Sequence, residues 1–235
     1  GKMEIFVLGC AGSGKSTFVK NFSEYLREKG YTVDCVNLDP ASEPIYRASK
    51  DIRQFVRTEQ VMQEYRLGIN GALIKSVEMA SDYADRLKCS GEFVLYDTPG
   101  QLELFIYSLA GRKFVEELSS TFSMSVFLVD STLITDPESF LSAVMQNVVV
   151  SLRLNLPSLT VFTKTDVSEI SVTSLLHELR GREGMLAELM EKVVDFIELT
   201  TIPYRPIKIS NLKKTGYDDL FSAINELFCS CGDIS

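Results

Sequence analysis

Residues 7–18 read VLGCAGSGKSTF. Gly9, Gly14, Lys15 and Ser16 fit the spacing G-x-x-x-x-G-K-[ST], with Gly12 between them. The chemistry that this spacing serves is phosphate binding. Glycines let several backbone N–H groups converge on one anion, because no Cβ blocks the turn. Lys15 can reach the β- and γ-phosphates of a nucleotide, and the Ser16 hydroxyl can bind Mg²⁺. Gly12, Ser13, Gly14, Lys15, Ser16 and Thr17 are therefore the expected phosphate contacts.

Acidic residues at the ends of apolar runs give a second signal. Asp39 closes CVNLD, and Asp97 closes FVLYD and opens DTPGQ. With Ser16, these two carboxylates form the expected Mg²⁺ set, acting directly or through water. Gly100, at the turn after Asp97, has an N–H placed to meet a γ-phosphate, so loss of that phosphate would release the loop. A single strand-end aspartate can also be an ordinary cap or turn residue. Further on, TKTD spans Thr163 to Asp166. A carboxylate at Asp166 can accept from both the ring N–H and the exocyclic amino group of guanine, and adenine offers neither there. Lys164 can lie along the base plane. Thr163 departs from the usual Asn-Lys-x-Asp. ISNLKKTG, from Ile209, falls where a second base-contacting loop belongs, and Ser210 and Asn211 can orient Asp166 or touch the base.

These residues need elements to hold them. Short β-branched runs recur as EIFVLG, TVDCVNLD, EFVLYD, MSVFLVD, LTVFTKTD and YRPIKIS, six strands in all. They show little alternation, as in strands buried on both faces. Helical stretches lie between them. STFVKNFSEYLREKG carries Phe18, Phe22, Tyr25 and Leu26 on one side and stops at Gly30. Asp136 and Pro137 cap another, whose Phe140, Leu141, Val144, Met145, Val148 and Leu152 form the expected core stripe. A terminal helix over 215–228 should turn Leu220, Ala223, Ile224, Leu227 and Phe228 inward. The alternation implies an α/β fold in three layers with a mostly parallel sheet, and ligands at the carboxyl ends of its strands. The 235 residues read as one domain, with helical insertions near 40–90 and 166–202.

Composition narrows the function classes. Net charge is −8, against a nucleic-acid surface, which needs basic clusters. No apolar run approaches the roughly 18 residues that a membrane span needs, and no secretory leader pattern is present. Five cysteines at irregular spacing suit reduced thiols in a cytoplasmic protein better than a zinc site. His177 is the single histidine, which excludes a His-based triad or a three-His metal centre.

GCAGSGKST, NLDPA, DIRQFV, LGINGAL, DTPGQLELF, TKTD and ISNLKKTG together resemble the GPN-loop GTPases, over nearly the whole chain. The resemblance implies a P-loop NTPase fold of the class shared with signal-recognition GTPases and Min-type ATPases. It implies GTP as substrate, GDP as product and Mg²⁺ as cofactor. It implies a homodimer, or a heterodimer with a paralogue, whose Gly-Pro-Asn insert reaches the partner's γ-phosphate. Here that tripeptide is Gly68, Ile69 and Asn70, so the proline is replaced while Asn70 keeps an amide donor. Asp39 and Glu103 would orient the attacking water, with Gln101 nearby. The resemblance extends to RNA polymerase assembly and transport, and hence to a chaperone-like output. The lysine near the start of the loop in Min-type ATPases is absent, those positions being Cys10 and Ala11.

Two other functions use the same phosphate loop. A small-molecule kinase would need an acceptor pocket and an arginine-bearing lid, for which Arg180 and Arg182 are the candidates. A nucleotide-binding module with negligible turnover is the third reading, and Ile69 and Thr163 leave room for it.

Overall fold

The computed structural model describes residues 2–10, 12–168, 171–181, 183–184, 187–199 and 206–232. Seven strands, β1 (Met3–Gly9), β2 (Val33–Asn37), β3 (Lys50–Asp51), β4 (Phe93–Asp97), β5 (Phe122–Asp130), β6 (Ser158–Thr163) and β7 (Ile207–Lys208), form one sheet. Its order is β3-β2-β4-β1-β5-β6-β7, and every pairing is parallel. The helices are α1 (Lys15–Glu28), α2 (Thr58–Glu64), α3 (Ile69–Ser81), α4 (Leu102–Ile106), α5 (Leu109–Leu118), α6 (Pro137–Leu154), α7 (Val172–Arg180), α8 (Ala187–Leu199) and α9 (Tyr217–Gly232).

Every residue of β1 is buried, because both sheet faces are covered. Ile5 and Val7 join Phe18, Phe22 and Leu26 of α1 and Leu220, Ala223 and Ile224 of α9. Phe6 and Leu8 join Val61 of α2, Ala80 of α3, Phe114 of α5 and Val150 of α6. A third cluster sets Phe140 and Val144 of α6 and Phe162 of β6 against Leu179 of α7 and Val194 of α8. Each of these large side chains contributes roughly 1.5–3 kcal/mol by leaving water. The three-layer α/β architecture thus follows from the alternation of apolar runs with amphipathic segments.

Register sets the strand ends. Val7 lies beside Asp97 on one side and Val126 on the other, and Asn37 lies beside Asp97. Asp130 lies beside Thr163. The chain leaves β1 toward β2 on one side, while β5, β6 and β7 build the other, so the loop after β1 sits where the order reverses.

Several expectations are corrected. The sheet has seven strands, not six, because Lys50 and Asp51 pair with Val36 and Asn37 at the edge. Two residues carry no readable alternation. The polar stretch 40–90 holds β3, α2, α3 and two 3₁₀ turns, Ile52–Gln54 and Ala84–Leu87. On α6 the Asp136 cap forms, with Oδ1 accepting from Ser139 N at 2.7 Å. Yet Met145 and Leu152 are exposed and Val148 is half-buried; Ala143, Asn147, Val150 and Leu154 hold the inner face instead. α6 packs on the sheet with one side and on α7 with another, so its apolar residues spread around more than one stripe. Phe228 is also exposed at 39%, although its ring meets Phe122 edge-on. No helix among the described residues is long and apolar enough to cross a membrane.

Candidate nucleotide site

The loop from Gly9 to Lys15 joins β1 to α1. Gly14 caps α1 at φ +85°, a left-handed conformation that glycine adopts without strain, and Gly12 stands at φ +81°. The turn aims the free N–H groups of the first helical turn outward, where the helix dipole also favours an anion. A cavity of about 270 Å³ opens there, lined by the loop, Asn37, Asp39, Asp97, Gly100 and the stretch Ser42–Pro44.

Its inner wall is a hydrogen-bond network around Asp97, which is 3% exposed. Lys15 Nζ donates to Asp97 Oδ1 at 2.9 Å and to the Thr98 carbonyl at 2.6 Å. Asp97 Oδ2 accepts from Ser16 Oγ at 3.2 Å and from Tyr46 Oη at 2.9 Å. Burial, then the charge of Asp97, pushes the Tyr46 phenol far above its ordinary pKa, so it remains a donor. Asp39, 6% exposed, faces the same cavity. Its Oδ2 accepts from Gly100 N at 3.1 Å and its Oδ1 from Ala41 N at 2.9 Å. Asn37 braces this turn: its Oδ1 accepts from Asp39 N, and its Nδ2 reaches Ser42 O and Asp51 Oδ1.

The donors fit a hard divalent cation. Ser16, Asp97 and Asp39 offer oxygen only, which suits Mg²⁺. No group of three or more His, Cys, Asp or Glu side chains able to hold a metal by themselves occurs among the described residues.

A second cavity, of about 330 Å³, shares Ser13, Gly14 and Thr17 with the first. Thr163, Lys164, Asp166, Val167, Asn211 and Leu212 complete it. Asp166 Oδ1 accepts from Ser210 Oγ at 2.7 Å, and Ser210 Oγ in turn accepts from Lys213 N at 3.0 Å. Asn211 is held by Tyr217, whose hydroxyl donates to its Oδ1 at 2.7 Å, while Asn21 donates to its backbone carbonyl. Three contacts tie this end to the phosphate loop. Lys164 Nζ lies 3.4 Å from Gly12 O, Thr163 Oγ1 lies 3.2 Å from Ser13 O, and Asn211 Nδ2 lies 3.5 Å from Gly14 O. Lys164 takes φ +60° and is paired with Asp130 Oδ2 at 2.6 Å. Burial works against the Asp130 charge, but hydrogen bonds from Lys164 and Thr132 outweigh it and hold the carboxyl below its ordinary value.

Lys15, Asp39, Asp97 and Asp166 thus gather at one rim of the sheet. Other singled-out residues lie apart from it. Gln101 and Glu103 are exposed at the start of α4, outside the residues lining either cavity. The Glu103 charge is still felt at Cys10, whose thiol is raised by burial and then by that carboxylate. Gly68 caps α3, and Ile69 and Asn70 open it, all exposed. Arg180 donates to Asp195 at 3.0 Å on α7 and α8, and Arg182 and Ala11 lie outside the described residues. Cys35 is buried in β2, whereas Cys10 and Cys229 are exposed free thiols. Tyr46, Asn37 and Asp130 were not singled out by sequence. Asp130 closes β5 as Asp97 closes β4, a signal that the sequence carries; Tyr46 stands in an irregular stretch that carries none.

A family described as "Conserved hypothetical ATP binding protein" matches residues 7–230. A GPN-loop GTPase of Pyrococcus abyssi is 29% identical over 252 residues, covering 99% of this chain and all of that protein. The chain belongs to the GPN-loop GTPase family. GPN-loop GTPase 1 of Saccharomyces cerevisiae is 28% identical over 249 residues, 94% of this chain. This family member spans 65% of that yeast relative's length. GPN-loop GTPase 3 of Dictyostelium discoideum is 37% identical over 179 residues, 73% of this chain and 63% of that one. A crystal structure titled as a GTPase in apo form from Pyrococcus abyssi superposes with a TM-score of 0.84 at 27% identity, covering 98% of this chain and 100% of that one.

Proposed function

We propose that this chain binds GTP with Mg²⁺ and hydrolyses it to GDP and phosphate, as a switch of the GPN-loop type. The observation that carries the reading is that the two cavities share Ser13, Gly14 and Thr17 as lining residues. Lys15 and Asp97 line one, and Asp166 lines the other. A guanosine phosphate ester spans such a pair, with its phosphates on the helix N-terminus and its base at Asp166. The relatives' names specify GTP, while the family description says ATP. Asp166, fixed by Ser210, supports guanine.

Phosphoryl transfer depends on positioning and charge neutralisation. The loop N–H groups orient the phosphates, and Lys15, in exchanging Asp97 and Thr98 for them, brings positive charge to the leaving side. Ser16 and Asp97, with Asp39, would hold Mg²⁺, which supplies further neutralisation when bound. Asp39 is held by the Gly100 amide, so it stands ready to orient water beside the γ-phosphate. Glu103, Gln101 and Asn70 would join from the exposed side, where a second copy or a paralogue would face the site. The output in this reading is chaperone-like binding of partners in the cytoplasm, RNA polymerase or its assembly factors among them, controlled by the nucleotide.

Titration with GDP, GTP, ADP and ATP analogues, while molecular mass is followed in solution, tests base choice and dimerisation together. Asp166→Asn should weaken guanine nucleotides far more than adenine nucleotides; an equal loss for both would count against the reading. Free phosphate as sole product separates hydrolysis from transfer to an acceptor, and no release above buffer would leave a binding module.

A further inference from the structure

We propose that Tyr46 is a positioning residue for the metal end of the site: its hydroxyl fixes the Asp97 carboxylate and ties the segment between β2 and β3 to the cation. The inference deepens the functional reading above and rests on it.

An ionised carboxylate has about four acceptor positions. On Asp97, three are taken by Lys15, Ser16 and Tyr46. These donors differ in what else they can do. Lys15 has a long flexible stem and would exchange Asp97 for a phosphate, freeing Oδ1. Ser16 must present its oxygen to the cation while its O–H still donates to Oδ2. Tyr46 is 8% exposed, and its ring belongs to the core cluster with Val7, Phe18 and Leu95, so its hydroxyl is confined to Oδ2. That contact keeps the carboxylate from turning about its Cβ–Cγ bond. It leaves Oδ1 as the free oxygen and Oδ2 as the fixed acceptor for the Ser16 proton. Groups that orient metal-binding side chains in this way typically account for a 10- to 100-fold difference in metal affinity.

The same contact has a second end. Tyr46 lies seven residues after Asp39 in the segment that Asn37, through Ser42 O, and Ser49, through Cys35 O and Asp34, fasten to β2. Within it, Tyr46 reaches the carboxylate that would face the cation. A cation that shifts Asp97 therefore pulls directly on residues 42–49.

The test uses a fluorescent GDP analogue and measures its affinity in EDTA and in excess Mg²⁺, for the parent chain and for Tyr46→Phe. Phe keeps the ring in the core and removes only the hydroxyl. The expected result is an affinity in EDTA unchanged within about twofold, and a gain on adding Mg²⁺ that is smaller by about tenfold or more. An unchanged gain, or equal losses in both media, would overturn the proposal, since loss of packing alone has no reason to depend on the metal. Amide hydrogen exchange on the parent, with the GDP analogue bound, is a second arm that needs no variant. Exchange over residues 42–49 should differ between EDTA and Mg²⁺, and indifference would overturn the coupling. A parent that binds no guanine nucleotide in either medium overturns the functional reading itself, and this is seen before any variant is compared.

Discussion

Replacing Ser210 by alanine removes one oxygen and tests how the base end works. Ser210 is 1% exposed, donates to Asp166 Oδ1 at 2.7 Å and accepts from Lys213 N at 3.0 Å. Its hydroxyl therefore fixes the carboxylate and closes the loop that carries it. A hydrogen bond to a charged group contributes about 1.5–3 kcal/mol, and each 1.4 kcal/mol is tenfold in affinity. The full loss would thus lie between about 10-fold and 150-fold. Part of it falls on the free protein, because Asp166 then relaxes toward water before any ligand arrives. The expectation is near the lower end, about tenfold, for GDP and GTP analogues. Adenine nucleotides, which offer Asp166 no paired donors, should lose less than about twofold. Calorimetric titration of GDP and ADP against parent and variant measures both numbers. Equal losses for the two bases, or no loss for guanine, would show that Ser210 supports the fold and not the reading of the base.

Lys15→Ala should abolish tight binding of guanine and adenine nucleotides alike; unchanged affinity would refute the phosphate-loop assignment. Because it also leaves Asp97 buried without its cation, a thermal melt should accompany the titration and show a lower midpoint. Asp39→Ala should slow steady-state phosphate release by at least about tenfold, as the loss of a water-positioning group; the same assay on Glu103→Ala decides whether that exposed residue acts at the site. Asp130 supplies a pH signature. Its carboxyl is held below its ordinary value in the fold, so its contribution to stability is present above the unfolded pKa, about 3.9, and fades as pH falls through the lower folded one. Asp130→Asn should therefore be less stable than the parent at pH 7, with the gap closing below about pH 4 in denaturant titrations; a gap that persists there would remove Asp130–Lys164 as its cause.

Much of this arrangement was legible in the chain because its determinants are local. The turn from Gly9 to Lys15 needs glycine at positive φ, and the strands that flank it carry uninterrupted apolar runs. Asp97 closes such a run and Asp166 follows another by three residues, and in a parallel sheet all run ends face one way. What stayed hidden depends on distant partners. Tyr46 bonds to a residue 51 positions later, and nothing near it marks that contact. β3 is two residues long and exists because β2 offers an edge. Met145 and Leu152 fall in the right helical rhythm, but α6 is shared between two packing surfaces, so rhythm alone placed them on the wrong side. Thr163 departs from the usual asparagine, and its hydroxyl lies against Ser13 O, a placement that no spacing could announce.

Three consecutive carbonyls, of Gly12, Ser13 and Gly14, lean toward Lys164, Thr163 and Asn211. Peptide groups polarise as units, so drawing electrons toward these oxygens makes the N–H at the other end of each peptide a stronger donor. Thr163, Lys164 and Asn211 therefore strengthen the anion loop's donors through the main chain itself, and Thr163→Val should bind free pyrophosphate less tightly than the parent.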